Sequence, residues 1–269
     1  MLDGTTQLVA IVGSPIVQVK SPLNFNTWFQ DHGLDLAMLP IDLRADSLPA
    51  FIGLLRGWQN LRGCVVTVPY KQLLAGQLDQ LSARAQLLGS VNVIRREADG
   101  TLCGDNVDGE GFLGAARQHG FVPAGGNALV LGAGGVGSAI GCALCEAGLA
   151  RLVITDVDAA RARALGDSLR GTFPATEILH EYASLADFAL VANASPVGMG
   201  NGGELPLSEA MLATLTQGCL VADVVTSPAV TAFLHRARAL GARTQTGAQM
   251  ARAQMGHLGH FMGVMPPGV

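Results

Sequence analysis

Short apolar runs alternate with longer amphipathic stretches along this chain, and the two periodicities predict different elements. Leu8 to Val12 is continuously apolar and stops at Gly13-Ser14-Pro15, which predicts a buried strand and a turn. Ser21-Pro22 then opens a helical stretch, with Ser21 as N-cap and proline at the first helical position. Ala37 to Ile41 predicts a second strand and Leu48 to Leu55 an amphipathic helix. Cys64 to Val68 is β-branched and stops at Pro69, a third strand. A helix is expected over Ala83 to Leu88. Val91 to Arg95 and Thr101 to Cys103 flank Asp99-Gly100, a hairpin signal.

After Asp108 the pattern becomes regular. Helices are expected at Gly111 to His119, Ser138 to Ala147, Ala159 to Leu169 and Ala229 to Leu240. Strands are expected at Ala128 to Leu131, Arg151 to Thr155, Phe188 to Ala192 and Leu220 to Val225. Such alternation implies right-handed βαβ units around a parallel sheet. A last helix, about Gly247 to Met262, has no strand after it.

The strand Ala128 to Leu131 runs directly into Gly132-Ala133-Gly134-Gly135-Val136-Gly137, a GxGxxG loop with a helix behind it. In that setting Gly132 allows a tight turn, Gly134 lets the backbone approach a pyrophosphate, and Gly137 lets the helix pack close to the strand. The free N–H groups of the helix N-terminus complete a site for a dinucleotide. The next strand ends at Thr155-Asp156, about 20 residues on, where a carboxylate accepts from ribose hydroxyls and repels a 2′-phosphate. Val157 and Asp158 follow, and Arg161 and Arg163 fall on the next helix, so NAD is favoured over NADP. The structural reading of Asp156 is a helix N-cap, and the two roles are compatible.

Composition narrows the class. With 269 residues, 49% hydrophobic and 14% charged, the chain can bury one or two large cores. A net charge of -4 and no Lys/Arg block give no general attraction to nucleic acid or an anionic membrane. The apolar stretches are too interrupted to span a bilayer, and no signal peptide is apparent, so a cytoplasmic protein is expected. Cys64, Cys103, Cys142, Cys145 and Cys219 are scattered and odd in number, which reads as core thiols. The lone Cys142-x-x-Cys145 has no second pair or nearby histidine to build a metal site, and no metal is expected.

Three polar clusters follow apolar strands in the first half, where ligands bind in α/β proteins. They are Gly13-Ser14-Pro15 with Lys20-Ser21-Pro22, Thr67-Val68-Pro69-Tyr70-Lys71, and Asn92 with Gly104-Asp105-Asn106-Val107-Asp108-Gly109. Singly, each has a bland reading as cap, solvated lysine or turn. Together, and collinearly with Gly89-Ser90-Val91-Asn92-Val93-Ile94, Asn193-Ala194-Ser195-Pro196-Val197-Gly198-Met199, Asp223-Val224-Val225-Thr226-Ser227-Pro228 and Gly247 with Gln254, they resemble the shikimate/quinate dehydrogenase family.

The resemblance implies roles. Lys71 and Asp108 would flank the oxidised hydroxyl, Lys71 relaying its proton. Asn92, Thr67 and Gln254 would hold other substrate hydroxyls, and Ser21 the carboxylate. Asn193, Ser195, Val225 and Gly247 would join the glycine loop and Asp156 in holding the cofactor. Three positions depart from the family pattern. Val19 stands for one of two carboxylate-binding serines, Val65 for an asparagine that meets a ring hydroxyl, and Thr226 for a substrate-facing tyrosine. Each removes a hydrogen-bonding group, so shikimate is expected to be a poor substrate.

The expected protein is a two-domain α/β enzyme. An N-terminal α/β substrate-binding and catalytic domain covers 1–107, completed by a C-terminal helix within 245–269, and a Rossmann domain that binds NAD covers 108–244. The expected reaction is reversible NAD-dependent oxidation of a secondary alcohol on a cyclic hydroxy acid. The alternatives are the same chemistry on a different or amino-substituted cyclic substrate, and a non-catalytic NAD-binding regulator. A regulator has no need of Lys71, Asn92 and Asp108 together. The oligomeric state stays open, with a homodimer as one option.

Overall fold

The alternation along the chain builds two six-stranded sheets in the computed structural model, which describes residues 2–200 and 203–267. By contacts the chain divides into two compact units, Met1–Val107 with Met255–Val269, and Asp108–Gln254.

The first unit contains β1 (Gln7–Gly13), α1 (Ser21–Asp31), β2 (Leu36–Asp42), α2 (Leu48–Gly57), β3 (Leu61–Val66), α3 (Lys71–Ala75), β4 (Gln80–Leu81), α4 (Ala83–Leu88), β5 (Val93–Arg96) and β6 (Leu102–Asp105). Its strand order is β2-β1-β3-β5-β6-β4. β1 runs parallel to β2 and β3, and the hairpin β5–β6 enters antiparallel to β3. Strand residues such as Val9, Ala10, Val12 and Cys64 are fully buried, as expected where helices cover both faces. Helix α2 shows why it forms and where it docks. Leu48, Phe51, Ile52 and Leu55 recur at helical spacing, and all four are buried in one cluster with Val12, Val66 and Ile94. Phe25 and Phe29 do the same for α1, edge to face at 5.8 Å, in a second cluster with Ile11, Val65, Val93 and Met262.

The second unit contains α5 (Asp108–Gln118), β7 (Asn127–Leu131), α6 (Gly135–Glu146), β8 (Arg151–Thr155), α7 (Ala159–Thr172), β9 (Glu177–Leu179), β10 (Leu190–Asn193), α8 (Glu209–Leu212), β11 (Leu220–Asp223), α9 (Ala232–Ala239), β12 (Arg243–Gln245) and the start of α10 (Gly247–Phe261). Its strands are all parallel, in the order β12-β11-β10-β7-β8-β9. That order reverses direction between β7 and β10, the doubly wound switch point at which ligands bind. Glycine brings helices close here: a Cβ on Gly109 of α5 would lie 2.2 Å from the Ala139 carbonyl oxygen of α6. The CxxC cysteines lie on α6, and all five cysteines are free and buried. Burial pushes the Cys145 thiol up to about 11. No helix among the described residues is long and apolar enough to cross a membrane.

Some sequence expectations change. Helix α1 is capped by Lys20, not Ser21: the Asn24 N–H already donates to the Lys20 carbonyl, so Ser21 lies inside the first turn. The strand expected to reach Val68 ends at Val66. Beyond it the Thr67 N–H still meets the Val12 carbonyl, but the Val68 carbonyl turns to accept from Ser14. The expected strand to Val225 ends at Asp223, whose carboxylate takes the Val225 N–H. The cap of α7 is Asp158, accepting from Ala160 and Arg161, and not Asp156. Helices α3 and α8 and strands β4, β9 and β12 were not expected; none exceeds five residues, too short to show a period.

One ion pair fixes the end of β6. Arg84 donates to both oxygens of Asp105 at 2.8 and 2.6 Å, and the Ser82 hydroxyl and Asn106 N–H also donate to that carboxylate. Burial pushes Asp105 up, but these donors, Arg84 foremost, hold it below the ordinary carboxylate range. A depressed pKa contributes stability that is present above the unfolded value, ~3.9, and lost as pH falls through the folded value. The Asp105 side chain is 4% exposed and Arg84 28%, so removing the cation strands a buried charge. Arg84→Ala is expected to cost about 2–3 kcal/mol at neutral pH, less than for a fully buried pair. The deficit should shrink towards pH 4, where the orphaned carboxyl takes up a proton, and urea denaturation at stepped pH measures it.

Candidate active site

The parallel register of the second sheet aligns four strand ends. Leu131 of β7 pairs with Thr155 of β8 and with Asn193 of β10, and Asn193 pairs with Asp223 of β11. These ends and the residues that follow them carry every cofactor position expected from the sequence except Gly247.

The glycine loop follows β7. Gly132 has a φ of +109°, and a Cβ there would meet the Ala194 carbonyl at 2.9 Å. A Cβ on Gly137 would lie 1.9 Å from the Gly132 oxygen, so only glycine lets α6 start this close to the turn. Gly134 and Gly135 behave differently: a Cβ on either would meet nothing within 4 Å. The loop therefore keeps an open face above the N-terminus of α6, whose cap is Gly134 in an extended conformation. That combination fits a pyrophosphate, which needs close backbone approach and free N–H donors. Ala133 and Val136 complete the loop, Ala133 with its side chain buried.

Asp156 is tied to this loop. Its carboxylate accepts from the Ala133 N–H at 2.7 Å and the Asp158 N–H at 2.9 Å. Partial burial pushes it up, but those two N–H groups and the charge of Arg161 hold it below the ordinary range. On the other side of the switch point, Asn193 organises the loop after β10. It accepts from the Ser195 N–H at 3.1 Å and hydroxyl at 2.6 Å, and donates to the Val197 carbonyl at 3.0 Å. Val225 is buried, and Gly247, first in α10, approaches it so closely that a Cβ would lie 2.4 Å from the Val225 oxygen.

Asp108 opens α5, where a negative charge suits the helix N-terminus. It is buried, and Gln254 Nε2 donates to its Oδ1, so two residues expected in the site meet across 146 positions of sequence.

In the first unit, backbone bonds collect the expected substrate residues. Thr67 follows β3, with its N–H on the Val12 carbonyl at 3.0 Å and its carbonyl accepting from Tyr70 at 3.0 Å. Its Cγ2 would lie 2.4 Å from a Cβ on Gly13, which locks the Gly13-Ser14 turn against it. Lys71 opens α3 and accepts from the Val91 N–H at 2.9 Å, while the Val66 N–H donates to the Asn92 carbonyl at 2.8 Å. Asn92 is buried, and its Oδ1 accepts from the Val107 N–H at 2.9 Å. Ser21 is the first residue of α1. Val19 and Val65 both pack into the apolar cluster around Ile11 and Phe25.

Sequence reasoning assigned no role to Asp105, Arg84, Asp223 or Thr231. The signal available was an aspartate at the end of each strand, which reads equally as a turn residue. Among the described residues no group of three or more His, Cys, Asp or Glu is arranged to hold a metal.

Comparisons with known proteins agree with this geometry. The sequence model of the shikimate dehydrogenase substrate binding domain matches residues 11–94. A shikimate dehydrogenase (NADP(+)) of Rhodospirillum rubrum is 36% identical over 256 residues, spanning 93% of this chain and 89% of the relative. Shikimate 5-dehydrogenase of Listeria monocytogenes, solved with shikimate and NAD, superposes with a TM-score of 0.92 at 27% identity, over 99% of this chain and 95% of that one. The ligand-free 5-ketofructose reductase of Gluconobacter sp. strain CHM43 superposes with a TM-score of 0.89 at 28% identity, over 96% and 92%. On sequence, fold and collinear motifs, the chain belongs to the shikimate dehydrogenase family.

Proposed function

We propose that this chain is an NAD-dependent dehydrogenase that interconverts a cyclic hydroxy acid and its keto form. Family membership makes it an oxidoreductase of a CH–OH group that works with a nicotinamide dinucleotide. The observation that carries the reading is the open backbone at Gly134 and Gly135, bordered by an Asp156 held ionised. Bound dinucleotide supplies the hydride acceptor. The rest of the chemistry falls to the chain's own side chains. Lys71 takes the hydroxyl proton as hydride leaves, and Asp108 is the second catalytic residue. Thr67, Asn92 and Gln254 orient hydroxyls, and Ser21 binds the carboxylate. The hydroxyl of Ser21, freed from capping, supports that last role.

Lys71→Ala is expected to lower turnover by ~10²–10⁴ while NAD affinity stays nearly unchanged, since Lys71 belongs to the first unit and the glycine loop to the second. A dinucleotide-reduction screen against shikimate, quinate and related cyclic alcohols tests the reaction itself. Wild-type turnover in the variant on the best substrate found would refute the role of Lys71.

Substrate choice rests on Val19 and Val65, which put aliphatic groups of one cluster where relatives with the family pattern carry polar ones. A ligand with hydroxyl or carboxylate aimed at them loses its partners. Shikimate is therefore expected to be a weak substrate, and Val19→Ser with Val65→Asn should raise kcat/KM for it. A low micromolar KM for shikimate in the wild type would contradict this.

Cofactor choice rests on Asp156. A 2′-phosphate carries about two negative charges. Set ~4 Å from a carboxylate, each unit charge costs on the order of 1 kcal/mol in water and several times that when partly desolvated. NADP also forfeits the ribose hydrogen bonds. We expect kcat/KM to favour NAD by roughly a hundredfold. The specific observation favouring NADP is Arg161, whose charge reaches Asp156 from the first turn of α7, together with the NADP(+) designation of the Rhodospirillum rubrum relative. Equal or better use of NADP by the wild type would establish that second reading.

A further inference from the structure

Asp223 is a buried carboxylate for which the chemistry above has no use. It ends β11, is 1% exposed, and pairs in register with Asn193, which is fully buried at the end of β10. One oxygen accepts from Asn193 Nδ2 at 3.1 Å and from the Val225 N–H at 3.0 Å; the other accepts from the Thr231 hydroxyl at 2.6 Å. Burial pushes the carboxyl above its ordinary value despite these donors, and no cation is among them. A group held at such cost is being used to fix something.

What it fixes can be followed along the backbone. Asn193 carries the loop to Val197 through its own three hydrogen bonds, and the Ser195 hydroxyl accepts in turn from the Val197 N–H at 3.3 Å. Val225 lies in the loop after β11 and is seated against Gly247. Thr231 caps α9 by accepting from the Leu234 N–H. One carboxylate thus sets the loops 194–197 and 224–226 relative to each other.

Strand order says which part of a ligand these loops would meet. In a doubly wound sheet the pyrophosphate lies at the switch point, with one nucleoside half on each side. Asp156 after β8 takes the adenosine side, so the loops after β10 and β11 fall to the nicotinamide side. We infer that Asp223 is a positioning residue: through Asn193 and Val225 it shapes the two loops that receive the nicotinamide half of the dinucleotide. The inference rests on the dinucleotide reading of this edge.

A carboxylate is required because all three partners donate. With asparagine, the amide nitrogen would face Thr231, whose oxygen already accepts from Leu234, leaving a buried hydroxyl proton without an acceptor.

The test compares Asp223→Asn with the wild type by calorimetric titration of NAD and of ADP-ribose, which is NAD without its nicotinamide ring. NADP and 2′-phospho-ADP-ribose form a parallel arm. The expected result is a loss of NAD affinity on the order of tenfold with ADP-ribose affinity kept within about twofold. An equal loss for both ligands, or none for either, overturns the inference. A wild type that binds neither ligand pair overturns the dinucleotide reading and the inference with it. Should Asp223→Asn fail to fold, Thr231→Val removes one donor while keeping side-chain shape. It should weaken NAD alone in the same direction, with Thr231→Ser restoring it; unchanged NAD affinity in Thr231→Val would then count against the inference.

Discussion

The close approach of α6 to the end of β7 is the constraint on which the dinucleotide half depends. A methyl group at Gly137 would sit far inside the van der Waals contact distance to the Gly132 carbonyl oxygen, and Gly132 itself occupies a backbone region that other residues avoid. Those two positions are committed to packing, while Gly134 and Gly135 at the start of α6 leave open room where a side chain would stand. The all-parallel register places Asp156 and Asn193 on either side of that space. Local backbone sterics, rather than any particular side-chain contact, therefore decide where this loop keeps open space.

Asp105, Asp156 and Asp223 each end or follow a strand, and their surroundings separate them. Asp105 and Asp223 are both almost fully buried, yet one is held down and the other pushed up. The difference is Arg84, a bidentate cation on Asp105, whereas Asp223 has only neutral donors. Asp156 is the most exposed of the three, and two backbone N–H groups together with the charge of Arg161 keep it low.

Most of this architecture was legible from pattern. The strand Arg151–Thr155 and the helix Ala83–Leu88 match the expectation residue for residue, because apolar runs and helical periods of that length have few alternatives. The three missed strands are edge strands of two or three residues, where pairing with a neighbour and not sequence pattern creates the element. At α1 the capping preference points to Ser21, whereas the backbone places Lys20, which makes no side-chain cap bond, at that position; the Asn24-to-Lys20 bond decides it. In the site, glycines and charged residues announced themselves by type. The networks behind them did not: Asp223 and Thr231 meet through partners eight residues apart, and Gln254 reaches Asp108 over more than half the chain.

Under the proposed reading, Asp156 has a double duty that restricts how the chain could change its cofactor. The carboxylate that would repel a 2′-phosphate also anchors the Ala133 N–H of the loop that would cradle the pyrophosphate. A substitution that deletes the carboxylate, such as Asp156→Ala, would leave the Ala133 and Asp158 N–H groups without their acceptor, so on this reading affinity would fall for both dinucleotides before it could rise for one. A productive path has to pass through a paired change, in which a neutral acceptor such as asparagine keeps Ala133 satisfied while a cation arises at Val157 or Asp158. On that reading, cofactor preference would belong to the loop as a whole and not to one residue.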